Sequence, residues 1–207
     1  MKQKPIHPWP VRLTHWLNAA CMVCMFMSGW AIYNASPLFA FRFPAALTVG
    51  GWLGGSIAWH FAFMWLLLIN GLIYMSYGLI SRHFKHDFLP LSIKAVKRDV
   101  TDALRLRLVH EKGVYNAVQR LMYGLVLAAG ALIVISGVAI WKPIQLQGLV
   151  ALLGGYDIAR YVHFAAMAAI GAFVVVHLAL VLLVPKTLLP MITGGVRPIE
   201  SGTHDHD

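Results

Sequence analysis

Two histidines, His163 and His177, stand fourteen residues apart in one apolar stretch, 161–184, whose only other ionisable side chain is Tyr161 at its edge. That stretch is long enough to cross a bilayer as a helix. Fourteen residues at about 100° each return nearly to the starting direction, so both imidazoles share one face. At a rise of about 1.5 Å per residue they lie ~21 Å apart along the axis. A histidine in hydrocarbon is costly and marks a functional site by default. Two of them on one face at opposite depths suggest two stacked cofactors. His15 and His60 fall in two further apolar runs and are the candidates to complete such sites.

The elements that must carry these side chains are set by composition. The chain has 207 residues, of which 59% are hydrophobic and 12% charged, with a mean hydropathy of +0.69. Such values exclude an ordinary soluble domain and indicate an integral membrane protein. Four runs reach the ~20 apolar residues needed to cross: about 11–33, 56–80, 115–141 and 161–184. The expected fold is an all-α, four-helix transmembrane bundle, with one membrane domain over 1–195 and a flexible cytoplasmic tail over 196–207. The start is polar and proline-rich and shows no cleavable signal peptide, so the first run reads as a retained helix. Residues 37–55 are apolar but broken by Pro37, Pro44, Arg42 and several glycines. They are expected to form a loop or re-entrant segment rather than a fifth span.

The net charge of +9 is not spread evenly. Residues 81–112 hold eight Lys and Arg: Arg82, Lys85, Lys94, Lys97, Arg98, Arg105, Arg107 and Lys112. The N-terminus adds Lys2, Lys4 and Arg12, and the C-terminal tail adds Lys186 and Arg197. The other two connections carry only Arg42, Lys142 and Arg160. This asymmetry places both termini and the second connection in the cytoplasm, and it accounts for the basic charge without a nucleic-acid partner. Within the second connection, 91–108 has apolar residues at helical spacing and is expected to lie on the membrane surface, its basic side on lipid headgroups. A solvated charged loop is the alternative.

Orientation converts the histidines into sites. The first span enters from inside, so His15 is on the inner side. The second and fourth descend from outside, so His60 and His163 are outer and His177 is inner. Depths therefore match in two pairs, His15 with His177 and His60 with His163. Two imidazoles per site, with no cysteine or carboxylate at the same depth, favour a six-coordinate b-type haem over zinc or di-iron. Gly29 and Gly137 would let a flat macrocycle approach the helix backbone, or serve helix packing. Arg12, Arg120 and Arg160, near span ends, are candidates for haem propionates, or topological anchors. Cys21 and Cys24 are followed by Met25, not histidine, which excludes covalent haem attachment and leaves packing thiols. His7, His83, His86 and His110 are expected to be solvated, as is the His204–Asp207 end.

Arg12-Leu13-Thr14-His15-Trp16, His60 on the second span, and His163 with His177 resemble the bacterial di-haem cytochrome b family. That family includes bacterial cytochrome b561 and the membrane subunits of nickel–iron hydrogenases, formate dehydrogenase and thiosulfate reductase. The resemblance runs from about His7 to Gly195. It implies two haem b groups held by these four histidines, a quinone as redox substrate, and a multi-pass place in the bacterial inner membrane. The stretch Tyr115-Asn116-Ala117 with Gln119 is similar to a menaquinone pocket of the formate dehydrogenase subunit, which makes Asn116 a candidate quinone contact or, failing that, a helix cap. Gly154-Gly155, Ala159-Arg160, His163-Phe164 and 191–194 look like short cytochromes b that accompany periplasmic molybdopterin oxidoreductases. The implied function is electron transfer between such a periplasmic partner, or a hydrogenase or formate dehydrogenase, and the quinone pool. A stand-alone cytochrome b561 oxidising superoxide or another small reductant is the alternative. From another class, a histidine-lined metal transporter is the rival, although transporter sites favour the midplane and broken helices.

Overall fold

A computed structural model of the chain describes residues 6–81 and 117–195. Among these residues all regular structure is helical, and four helices are long and apolar enough to cross a membrane. They are α1 (Trp9–Ala35), α2 (Leu53–Ile80), α3 (Ala117–Trp141) and, after a short α4 (Gln147–Leu152), α5 (Tyr156–Leu183). A six-residue α6 (Leu188–Thr193) follows a 3-10 turn at Pro185–Thr187. Each of the four apolar runs expected to span forms, in its described part, a helix long and apolar enough to do so. The surface helix expected at 91–108, the quinone candidate Asn116 and the tail 196–207 lie outside the described residues.

The element ends differ from the sequence reading in instructive ways. α1 starts two residues earlier, with Pro8 as its N-cap and Pro10 in the first turn, where a missing N–H costs nothing. α5 starts at Tyr156, five residues earlier than hydropathy suggested. Its first turn carries Asp157 and Arg160, which read as loop because they are charged. Gly154 and Gly155 precede it with φ of +91° and +110°, a conformation that other residues rarely adopt. Residues 37–55 form no fifth span. They make a loop with one 3-10 turn, Ala45–Leu47.

α1 packs along α2, and α3 packs along α5, whereas the helix backbones of the two pairs scarcely approach each other. Polar ties hold the first pair together. Asn70, buried in the middle of α2, donates through Nδ2 to the Thr14 carbonyl (2.9 Å) and to Asn18 Oδ1 (2.7 Å) on α1.

Other ties close the two ends of the bundle, called outer and inner after the orientation expected from the charge pattern. At the outer end, Asn34 clasps the first loop, donating from Nδ2 to the Phe43 carbonyl and accepting from the Phe43 amide at Oδ1, both at 2.9 Å. Arg160 Nη2 donates to the Ser36 carbonyl and hydroxyl, fastening α5 to the same loop. Tyr33, Phe39 and Phe41 meet the ring of Phe164 of α5, and Phe43 meets Tyr33 edge-on. At the inner end, α6 folds back on the start of α1. Arg12 Nη1 donates to the Ile192 carbonyl (3.0 Å), Trp16 Nε1 to Met191 (3.2 Å) and the His7 amide to Gly194 (3.1 Å). Gly194 takes φ +97°, and a Cβ there would stand 2.9 Å from Arg12 Nη1.

Interhelical hydrogen bonds within membranes contribute about 1 kcal/mol or less. Asn70→Leu is therefore expected to lower the unfolding free energy in detergent by about 1 kcal/mol. Thermal unfolding at unchanged or higher temperature would show that the Asn70 tie does not hold α1 to α2.

Candidate functional site

The four span histidines form two pairs, each drawing one side chain from either half of the bundle. On the inner side, His15 of α1 and His177 of α5 have ring centroids 6.1 Å apart and planes at 63°. With metal–imidazole bonds of about 2 Å, two rings on opposite sides of one metal ion have centroids roughly 6 Å apart. Phe173, one turn before His177, stacks on its ring at 14°. Trp16 meets His15 edge-on at 5.4 Å. On the outer side, His60 of α2 and His163 of α5 are near enough to interact electrostatically.

Each outer imidazole is held by the neighbouring helix of its own pair. His60 Nδ1 lies 3.0 Å from Ser28 Oγ on α1. Ser28 spends its own proton on the Cys24 carbonyl (2.6 Å), so its oxygen accepts from Nδ1–H. His163 Nδ1 lies 3.1 Å from Ser136 Oγ on α3 and 3.0 Å from the Ile133 carbonyl. Ser136 likewise donates to the Leu132 carbonyl at 2.7 Å. A carbonyl can only accept, so Nδ1 of His163 carries the hydrogen and Nε2 keeps its lone pair for a metal. Both serines are fully buried.

The glycine after each serine explains how the ring reaches its place. A Cβ on Gly29 would stand 3.5 Å from His60 Cε1, and one on Gly137 only 3.1 Å from His163 Cε1. The structure thus gives these glycines a more specific task than the sequence suggested: they clear the imidazole edge of the ligand on the adjoining helix. Sequence reasoning missed Ser28 and Ser136. The repeated Ser-Gly step in spans one and three was the available signal, hidden because small residues are common in membrane helices.

Of the other candidates, Arg12 reaches α6 through Nη1, while its Nε is buried without a hydrogen-bond partner among the described residues. A buried donor left unpaired costs about 1–3 kcal/mol, so the position calls for an acceptor such as a carboxylate. Arg160 is engaged with Ser36 and lies 3.9 Å from Asp157. The arginine therefore serves the outer loop, whatever else it meets. Arg120 is in the first turn of α3, and its side chain lies outside the described residues.

The donor set fits a haem. Each site offers two imidazoles, and no group of three or more His, Cys, Asp or Glu able to hold a metal occurs among the described residues. Two protein ligands suit a cofactor that brings four nitrogens of its own, and they fall short of a zinc tetrahedron. The comparisons agree. The model of the prokaryotic cytochrome b561 family matches residues 6–194. The chain belongs to the prokaryotic cytochrome b561 family. It is therefore a multi-pass membrane protein of a haem-binding, electron-transferring family, and the metal-transporter rival falls away. A relative from Azospira oryzae, named a putative protein-methionine-sulfoxide reductase subunit YedZ1, is 50% identical over 190 residues, covering 91% of this chain and 96% of that protein.

The two glycine distances make a graded test. Gly137→Ala is expected to displace His163 and lower haem content in the purified protein, whereas Gly29→Ala, at an ordinary contact distance, keeps most of it. Equal haem loss in both variants would contradict the account of these glycines.

Proposed function

We propose that this chain conducts electrons across the bacterial inner membrane, between quinol on the cytoplasmic side and a reductase docked on the outer side. His15 and His177 would hold one haem b and His60 and His163 the other. The observation that carries the proposal is the matched pairing of four intramembrane histidines across one seam, at the two ends of α5. Haem supplies one-electron redox chemistry at each position when bound.

The protein's own contribution is placement and insulation. α5 carries one ligand for each site and so sets their spacing, ~21 Å along the helix axis. Ser28, Ser136 and the Ile133 carbonyl keep Nδ1–H occupied, which turns Nε2 of each outer histidine toward the metal position. Arg12, with its free Nε, is suited to a propionate at the inner site. Asn116 at the start of the third span remains the candidate for quinone.

Electron direction follows from the partner. The Azospira relative is named as a reductase subunit, which favours outward flow here. One quinol would give up two electrons and two protons on the cytoplasmic side. A periplasmic molybdopterin enzyme would spend two electrons and two protons in removing oxygen as water from its substrate, protein-bound methionine sulfoxide being the favoured class. The same relationship favours a partnered subunit over a stand-alone cytochrome b561 acting on superoxide.

Pairing is tested by single substitutions. His60→Ala and His163→Ala are each expected to abolish the same haem and leave the other low-spin; His15→Ala and His177→Ala should abolish the other one. Redox titration of each variant distinguishes the two components. Loss of different haems in His60→Ala and His163→Ala would overturn the pairing.

A further inference from the structure

The two helix pairs contain the same contact twice, with the Ser-Gly steps 108 residues apart and the histidines 103. In the first pair, Ser28 and Gly29 of α1 receive His60 of α2. In the second, Ser136 and Gly137 of α3 receive His163 of α5. The match extends to hydrogen bonding. Each serine donates to the carbonyl four residues earlier, Cys24 or Leu132. His163 also bonds the backbone three residues before its serine, at the Ile133 carbonyl. The inner histidines are held differently: the ring contacts of His15 and His177 are with Trp16, Phe173 and each other, and neither imidazole is hydrogen-bonded to a hydroxyl among the described residues.

We propose that Ser28 and Ser136 are positioning residues that set the outer site electronically apart from the inner one, by loading hydrogen bonds onto Nδ1–H of both outer ligands. This rests on the reading that His60 and His163 hold a haem. A hydrogen bond to the far nitrogen fixes the tautomer and makes the ring a stronger donor to its metal. Both ligands of one iron are strengthened together, so the ferric form gains relative to the ferrous form. The serines therefore lower the outer reduction potential and leave the inner one untouched. In hydrocarbon the effect is not diluted by water, because the two hydroxyls are fully buried. The contribution is separable from folding. On removing the Ser136 hydroxyl, the Ile133 carbonyl stays 3.0 Å from His163 Nδ1, so that ring keeps an acceptor and its orientation.

The test is a spectroscopically resolved redox titration of the full-length, haem-loaded protein in detergent. Ser28→Ala and Ser136→Ala are each expected to shift one midpoint potential upward, the same one in both variants, and the double variant further. That component is the one missing from His60→Ala. Ser28→Thr and Ser136→Thr, which keep a hydroxyl able to make the same bonds, should restore the original potential. The low-spin ferric EPR signal of the outer site should move with the potential while that of the inner site stays. Unshifted potentials in the alanine variants, equal shifts of both haems, or no restoration by threonine would overturn the inference while leaving the haem pairing intact. If His60→Ala removed no haem, both this inference and the pairing beneath it would fail.

Discussion

An imidazole placed in hydrocarbon has two nitrogens to satisfy, and no water to satisfy them. Much of this bundle follows from that constraint. One nitrogen of each outer histidine is answered from within the protein, by a serine hydroxyl on the adjoining helix. That serine is itself saturated by a carbonyl of its own helix, so it can only accept. The other nitrogen makes no hydrogen bond among the described residues, and the two rings come from opposite sides of the seam between the helix pairs. A glycine follows each serine: at Gly137 a Cβ would press on the His163 ring, and at Gly29 it would just touch that of His60. The Ser-Gly step is thus one device with two parts, and it occurs once in each helix pair.

The pairs themselves are built to leave that seam. α1 binds α2 through the Asn70 bonds to Thr14 and Asn18 and through the His60 contact with Ser28. α3 binds α5 through His163 and Ser136. Between the pairs, the protein joins mainly at its ends. Asn34, Arg160 and the aromatic group around Tyr33 close the outer side, and α6 latches the start of α1 on the inner side. Between those closed ends, an imidazole from each helix pair meets one from the other, at His15 with His177 and at His60 with His163. α5 is the common element, because it alone contributes to both sites.

The main frame was legible in the sequence because few kinds of residue can explain it. Four hydrophobic runs, a lopsided distribution of Lys and Arg, and histidines at fixed depth leave little freedom, and a fourteen-residue separation is enough to put His163 and His177 on one face. What escaped was whatever depended on contact between helices. Ser28 and Ser136 look like packing residues until a histidine from another helix is seen against them. α6 and the early start of α5 were missed because hydropathy marks the apolar core and not the interfacial turns, where Asp157 and Arg160 read as loop. Arg12 was expected near a span end, but its latch to Ile192 joins residues at opposite ends of the chain, which no local pattern records.

The central claim is that the four histidines make two complete bis-imidazole haem sites that share α5. Its most direct measurement is haem and iron per polypeptide in the purified full-length protein, read together with the ferric EPR spectrum. The account predicts two haem b and two iron per chain, both low-spin with two nitrogen axial ligands. One haem per chain, or a high-spin centre in place of either, would contradict it.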